Sequence, residues 1–289
     1  MIEKVYLNGQ LVTRRRAAIS PFDHGFLYGY GLFEVIRIYR GVPFRLERHL
    51  SRLRRSAEIL NFAASLSRFD LEAACMQTIR ANKIQQGIIR VTVSGGPGDP
   101  LITAPANRQP TILVTAQPYQ PPSSGVYRRG YKAIISQFRR DSLSPLSQVL
   151  AVSALGGYLA KQEARDEGAE ESLLLNERGS LAGGSSSSVF LVTGHILLTP
   201  PLKNGAQPGV TREAVLELAS SLGIEAGEWS IKEKDIYQAQ EAFLTSSLLE
   251  VMPLAQVSGQ IIGTGKPGPV TRKLMSAYKK LVKKETSGG

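Results

Sequence analysis

One cysteine, one tryptophan and three histidines are spread over 289 residues, and these scarcities set the first limits on what the chain does. A lone cysteine excludes an intrachain disulfide framework and any thiolate metal cluster built by a single chain. Cys75 lies in Leu71-Glu-Ala-Ala-Cys-Met-Gln-Thr-Ile, a stretch with amphipathic-helix periodicity, and reads as a buried structural thiol. His24, His49 and His195 fall on different predicted elements with no ligand spacing, so no metal site is expected. Long apolar runs are also missing: nothing approaches the roughly 18 to 20 residues that a membrane helix needs. The N-terminus lacks the basic, apolar and small-residue succession of a secretory signal, and a cytoplasmic protein without membrane contact is expected.

Acidic residues are fewer than basic ones, 24 against 35, leaving a formal charge of +11. The basic runs Arg14-Arg-Arg16, Arg52-Leu-Arg-Arg55, Arg139-Arg140 and Lys279-Lys-Leu-Val-Lys-Lys284 are scattered. No RNP, KH, zinc-finger or helix-turn-helix pattern accompanies them, so no nucleic-acid partner is expected. Such a surface favours solubility and attracts anionic small molecules. A hydrophobic share of 42% with 20% charged residues fits a globular protein, and the length suits two domains.

Strand and helix signals alternate along the first third. Val5 to Val12 reads as a hairpin turning at Asn8-Gly9, and Phe33 to Tyr39 alternates at strand period. Helices are predicted near Glu47 to Asn61 and Asp70 to Asn82, the second capped by Asp70, with strands at Ile88 to Ser94 and Thr111 to Ala116. Gln117-Pro-Tyr-Gln-Pro-Pro-Ser-Ser-Gly125 is rich in Pro, Ser and Gly and lacks periodicity. The expected organisation is a small N-terminal α+β domain over 1–118, a linker at 119–125 and a larger β-rich domain with helices over 126–289. In the latter, strands are predicted at Lys132 to Ile135, Glu171 to Asn176, Val189 to Val192, Glu241 to Thr245 and Val257 to Ile262. Helices are predicted at Val152 to Glu167, Thr211 to Leu222 and Pro269 to Lys283.

Asp23-His-Gly-Phe-Leu-Tyr-Gly-Tyr-Gly-Leu-Phe-Glu34 and Phe44-Arg-Leu-Glu-Arg-His-Leu-Ser-Arg-Leu-Arg-Arg-Ser-Ala57 open a series of motifs. Leu159-Ala-Lys-Gln-Glu-Ala-Arg165, Asn176-Glu-Arg-Gly-Ser-Leu-Ala182, Pro208-Gly-Val-Thr-Arg212, Ile236 to Thr245 and Glu250-Val-Met-Pro253 continue it. From Tyr6 to about Leu281 this series resembles the class IV, fold type IV, pyridoxal-phosphate enzymes. These are the branched-chain and D-amino acid aminotransferases and the aminodeoxychorismate lyases. The resemblance implies a two-domain α+β and α/β fold of the D-amino acid aminotransferase type, and a homodimer. Within the family, Arg90-Val-Thr-Val-Ser-Gly-Gly-Pro-Gly98 resembles the lyase and D-amino acid branches more than the branched-chain enzymes, although Asp99-Pro100 stands where an Arg-Gly often follows there.

The same resemblance implies that the phosphate end of the cofactor site is kept and its chemical end is not. It assigns Arg52, Val210, Thr211, Ser246 and Ser247 to cofactor phosphate, through guanidinium, helix N-terminal amides and hydroxyls. It assigns Tyr28, Tyr30, Phe33, Arg37 and Arg90 to a substrate pocket. The Schiff-base lysine, thirteen residues before Glu163, falls on Leu150, and the tyrosine four residues later on Ala154. The glutamate that pairs with the pyridine nitrogen falls on Gly183, and an asparagine on Ser188. An alkyl chain forms no imine, and glycine offers no carboxylate, so covalent pyridoxal phosphate and catalytic residues are not expected. Neither Lys132 nor Lys161 is placed to substitute.

The leading expectation is a family member that has lost transamination and binds a phosphorylated or anionic small molecule, with pyridoxal phosphate held non-covalently if at all. An enzyme using the scaffold by a lysine-independent route, with Tyr28 or Tyr30 as acid or base, and a non-catalytic scaffold protein stand as alternatives. The Gly183-Gly-Ser-Ser-Ser-Ser188 run reads either as a flexible polar loop or as a nest of donors.

Overall fold

A computed structural model describes residues 3–61, 63–99 and 109–287, so Pro100 of the Asp99-Pro100 pair lies outside the described residues. The chain divides into two compact units. One comprises Met1–Gln120 with Val149–Ala154 and Lys284–Gly289, and the other Pro121–Gln148 with Leu155–Lys283. The division at Gln120 falls inside the stretch 119–125. Ser124 and Gly125 are not coil, however: they begin a short helix, because Val126 and Tyr127 both donate back to the Ser123 carbonyl.

In the first unit, β1 (Lys4–Leu7) and β2 (Gln10–Thr13) form the expected hairpin, with Asn8 and Gly9 both at positive φ, 48° and 99°. That is the conformation a tight two-residue hairpin turn requires. Next come α1 (His24–Tyr28), β3 (Gly31–Tyr39), β4 (Val42–Pro43), α2 (Leu46–Ile59), α3 (Ala63–Leu66), α4 (Leu71–Ala81), β5 (Gln86–Ser94) and β6 (Thr111–Pro118). The strands make one antiparallel sheet in the order β2-β1-β6-β5-β3-β4. Leu32, Ile36 and Ile38 of β3 join a core with Leu50, Leu53 and Ala57 of α2 and Leu71, Ala74, Cys75 and Ile79 of α4. Cys75 is fully buried, and burial pushes its thiol up to about 12, which leaves an inert side chain.

The helix expected from Val152 starts later. Phe33 N–H donates to the Leu150 carbonyl and Val152 N–H to the Gly31 carbonyl, both at 2.9 Å, and Ala151 bridges Leu32. The edge of β3 therefore claims the backbone of residues 150–152.

The second unit carries α5 (Ser124–Arg129), β7 (Tyr131–Arg140), α6 (Leu155–Asp166), β8 (Glu171–Asn176), β9 (Leu181–Gly184), β10 (Ser188–Thr193) and β11 (Ile196–Thr199). These are followed by α7 (Val210–Ser221), β12 (Ala226–Glu228), α8 (Glu233–Gln238), β13 (Glu241–Ser246), β14 (Glu250–Val257), β15 (Gln260–Ile261) and α9 (Pro269–Glu285). A mixed sheet runs β12-β11-β10-β13-β14-β7-β8-β9, with β15 on β14. Phe190 and Phe243 stack across β10 and β13 with ring centroids 5.0 Å apart. The single strand expected from Val257 to Ile262 is instead the tip of a hairpin, since Ser258 and Gly259 both take positive φ and turn the chain.

Asp70 caps α4 as expected, its side chain accepting from Ala73 N–H at 2.9 Å. Asp70→Ala is expected to lower stability by about 1 kcal/mol, seen as an earlier urea midpoint for loss of helical circular dichroism.

Candidate ligand site

Period-two alternation turns Leu32, Glu34, Ile36 and Ile38 of β3 toward the helices. Glu34 is thus a carboxylate placed at an apolar position, 1% exposed. Two side chains one turn apart on the buried face of α2 answer it. His49 Nδ1 lies 2.7 Å from Glu34 Oε2 and donates to it, because a carboxylate only accepts. Arg52 Nε and Nη2 donate to Oε1 and Oε2 at 2.7 and 2.6 Å. Burial pushes the Glu34 carboxyl up, but the Arg52 charge and the hydrogen bonds from His49 and Arg52 outweigh it and hold it below the usual carboxylate range. Arg52 is accordingly not a solvated charge on a basic helix. Its side-on bidentate contact is made to Glu34 inside the protein.

The opposite face of the sheet gathers Phe33, Arg37 and Arg90. Arg90 lies over the Phe33 ring at 4.0 Å, and burial pulls its guanidinium down from the ordinary value. Tyr28 is half exposed, edge-on to His24. The Tyr30 hydroxyl donates to the Leu60 carbonyl and its ring packs against the core, so it is spent structurally. Leu150 is half-buried and Ala154 exposed; neither offers a polar side chain.

In the second unit the serine loop is not flexible coil. Gly184 N–H donates to the Ser187 carbonyl at 2.7 Å, closing a tight turn between β9 and β10. The Ser185 and Ser187 hydroxyls both donate to Glu171, a fully buried carboxylate on β8, the latter at 3.0 Å. Lys161 Nζ completes the cluster, 3.4 Å from Glu171 Oε1 and bonded to the Glu170 carbonyl. Its ammonium is thereby held by a carboxylate. A Cβ at Gly157 on α6 would approach the Ser185 carbonyl to 2.8 Å, and one at Gly183 would approach the Ser187 carbonyl to 3.1 Å, so both glycines allow the close fit.

Backbone amides and hydroxyls gather where α7 begins. Gly209 is the N-cap, no side chain caps the helix, and the amides of Val210 and Thr211 have no intrahelical acceptor. A Cβ at Gly209 would come within 2.9 Å of the Ser188 hydroxyl, which places that hydroxyl beside the helix start. Across the ladder Ser188 faces Thr245, whose hydroxyl is buried without a hydrogen-bond partner. Ser246 accepts from Leu249 N–H at the turn that follows, and Ser247 is half-buried beside it.

Glu34, His49, Glu171 and Thr245 were not singled out as site residues from the sequence. For the two glutamates the signal is present: each is a charge at an inward position of an otherwise apolar strand, and one is answered by His49 and Arg52 at helical spacing. Thr245 has no such signal. Among the described residues no group of His, Cys, Asp and Glu could hold a metal, and no helix is long and apolar enough to cross a membrane.

Two mixed units, a strand edge holding residue 150 and a donor-lined helix start define a recognisable class. Residues 31–257 match the family model for amino-transferase class IV, and the chain belongs to that family. It is 36% identical over 279 residues to a putative branched-chain-amino-acid aminotransferase of Methanocaldococcus jannaschii, covering 96% of this chain and 95% of the relative. It is 31% identical to an aminodeoxychorismate lyase of Bacillus subtilis over 281 residues, 96% and 94% of the two chains. The fold is similar to that of the branched-chain amino acid aminotransferase of Escherichia coli, with a TM-score of 0.90, 29% identity and coverage of 99% and 96%. The two-domain, fold type IV architecture implied by the motifs is therefore the observed one.

Glu34→Gln leaves the buried Arg52 cation without its counter-charge and is expected to cost about 3 to 5 kcal/mol at neutral pH, measured by denaturant unfolding. Because the native Glu34 carboxyl is held low, its stabilisation is complete above the carboxyl's unfolded value and lost as pH falls through the native one. The gap between wild type and variant therefore closes only in strong acid.

Proposed function

We propose that this class IV family member binds a phosphorylated or otherwise anionic small molecule non-covalently and does not run imine-dependent transamination. Leu150 carries the reading. The resemblance puts the Schiff-base lysine there, and the backbone from Leu150 to Val152 is bonded to β3, through the Leu150 carbonyl and the Val152 amide. Lys161, eleven positions on, is engaged by Glu171 and by a backbone carbonyl.

Pyridoxal phosphate fits this chain at one end only. When bound, that cofactor supplies an aldehyde for imine formation and an electron-withdrawing ring. The phosphate end has suitable partners in the Val210 and Thr211 amides, the hydroxyls of Thr211, Ser188, Ser246 and Ser247, and the unpartnered Thr245 hydroxyl. The reactive end has none: Leu150 and Ala154 are alkyl, and Gly183 has no carboxylate. What the chain offers is amide and hydroxyl donation to a tetrahedral anion, with no group to form a covalent bond to an aldehyde.

A homodimer belongs to the same reading. Ile19, Phe22, Phe26 and Tyr28 expose 49, 55, 77 and 41% of their surface along one segment of the first unit, an apolar stretch suited to a partner. A second copy of the chain covers it in this proposal, and light scattering is expected to give twice the 31.4 kDa chain mass. The monomeric mass at all concentrations would refute this part.

Titration with pyridoxal phosphate is expected to give no imine absorbance, and borohydride no protein-bound adduct. Calorimetry with inorganic phosphate is expected to show binding that Thr211→Val weakens about tenfold or more. A reduced adduct on any lysine would overturn the proposal.

A further inference from the structure

Arg140 closes β7 as a cation without a counter-charge. It is half-buried, and its one hydrogen bond among the described residues runs from Nη1 to the Gly205 carbonyl at 3.4 Å, longer than such bonds usually are. Nε and Nη2, the side-on edge of the guanidinium, have no partner among the described residues. Burial pulls the guanidinium down from its ordinary value, and no carboxylate offsets that pull. Arginine does not shed its proton to escape, so the position calls for an anion.

The acids nearest along the chain and beside the ladder are committed elsewhere. Asp141 accepts the Leu143 and Ser144 amides at 2.9 and 3.3 Å, and Glu177 accepts the Ser142 amide and hydroxyl at 2.9 and 2.7 Å. Arg140 faces Asn176 across the parallel ladder of β7 and β8, and Asn176 donates its side-chain amide to the Asn204 carbonyl. Two residues back on β8, Leu174 faces Gly183 of β9. Period-two alternation therefore puts Arg140, Asn176, Leu174 and Gly183 on one face of the sheet, with no acid among them.

The side chain is held beside the loop that leads into α7. A Cβ at Gly205, whose φ is 88°, would lie 3.3 Å from both Cγ and Cδ of Arg140, so the missing side chain lets the arginine stem lie along that loop. Gly205 precedes Gly209, the N-cap of α7, by four residues, a span of at most about 14 Å between Cα atoms. The Gly209 amide donates back to the Gln207 carbonyl at 2.8 Å, which shortens it further. The unpaired guanidinium and the helix start thus belong to one neighbourhood of the second unit.

We infer that Arg140 is a second anion subsite near the start of α7, so that the ligand of this chain carries two anionic groups joined by a short spacer. The inference deepens the anionic-ligand reading and rests on it for the group held at α7. Amides and hydroxyls there suit a tetrahedral phosphate, and the side-on fork of Arg140 takes an oxyanion at the ligand's far end. A ligand with one charged group and a neutral tail leaves this guanidinium unpaired, whereas a bisanion neutralises it. Selectivity for the second charge is the consequence.

The test uses the full chain and two pairs of probes whose members differ by one anionic group, phosphoglycolate against ethyl phosphate and fructose bisphosphate against fructose monophosphate. Inorganic phosphate is the reference, and calorimetry gives the affinities. In at least one pair the doubly anionic member is expected to bind about tenfold tighter or more. Arg140→Gln and Arg140→Lys are both expected to cut that preference at least about fivefold while leaving inorganic phosphate affinity unchanged, the lysine variant because a point charge does not reproduce the fork. No preference in either pair, or a preference retained in a variant whose circular dichroism matches wild type, would overturn the inference. Inorganic phosphate binding without any such preference removes the Arg140 subsite and leaves the phosphate reading standing. Arg140-dependent binding of a bisanion with inorganic phosphate unbound does the reverse.

Discussion

The alternation of side chains along β3 is the constraint on which the first unit depends. A strand sends successive residues to opposite faces, so nine residues from Gly31 to Tyr39 serve two environments at once. Toward the helices they deliver leucine and isoleucine plus one carboxylate, Glu34. Toward the opposite face they deliver Phe33 and Arg37. The edge of the same strand fixes the backbone of residues 150–152. A slip of one residue in its pairing would exchange Glu34 for an apolar neighbour and expose Ile36, so core, ion cluster and opposite face share one register.

The second unit uses a similar device. A fully buried carboxylate, Glu171, gathers Lys161 and the hydroxyls of Ser185 and Ser187, and so gives a loop rich in glycine and serine a fixed shape. A carboxylate buried alone would be very costly, but hydrogen-bonded and paired it sets the position of each partner. The uncapped α7 start beside Ser188 then has a rigid neighbour on one side.

Much of this was legible in the sequence. The hairpin at Asn8-Gly9, the Asp70 cap and the alternating Phe33–Tyr39 stretch are local signals, and their elements formed where local chemistry placed them. The family motifs, spaced over nearly the whole chain, carried the fold. Residues 152–154 were misread as helix because the backbone of 150–152 is claimed by β3, far away in the chain. The serine loop was open to two readings because the Glu171 partnership is a tertiary fact. Arg52 shows the same limit: its bidentate contact with Glu34 and its burial become visible only when α2 is laid on β3. Whether an arginine is paired, stacked or left without a counter-charge, as with Arg52, Arg90 and Arg140, is not written in its neighbours along the chain.

The anchoring of Leu150 by main-chain atoms alone has a consequence for descent. Its carbonyl serves Phe33 whatever side chain stands at the position, and the flanking Val152 amide serves Gly31 in the same way. Folding of that segment is thus indifferent to whether residue 150 is a base or an alkyl group. On the proposed reading, a chemistry that hangs on one side chain is mounted on a backbone that does not consult it, and that backbone would accept a lysine at position 150 with the architecture intact.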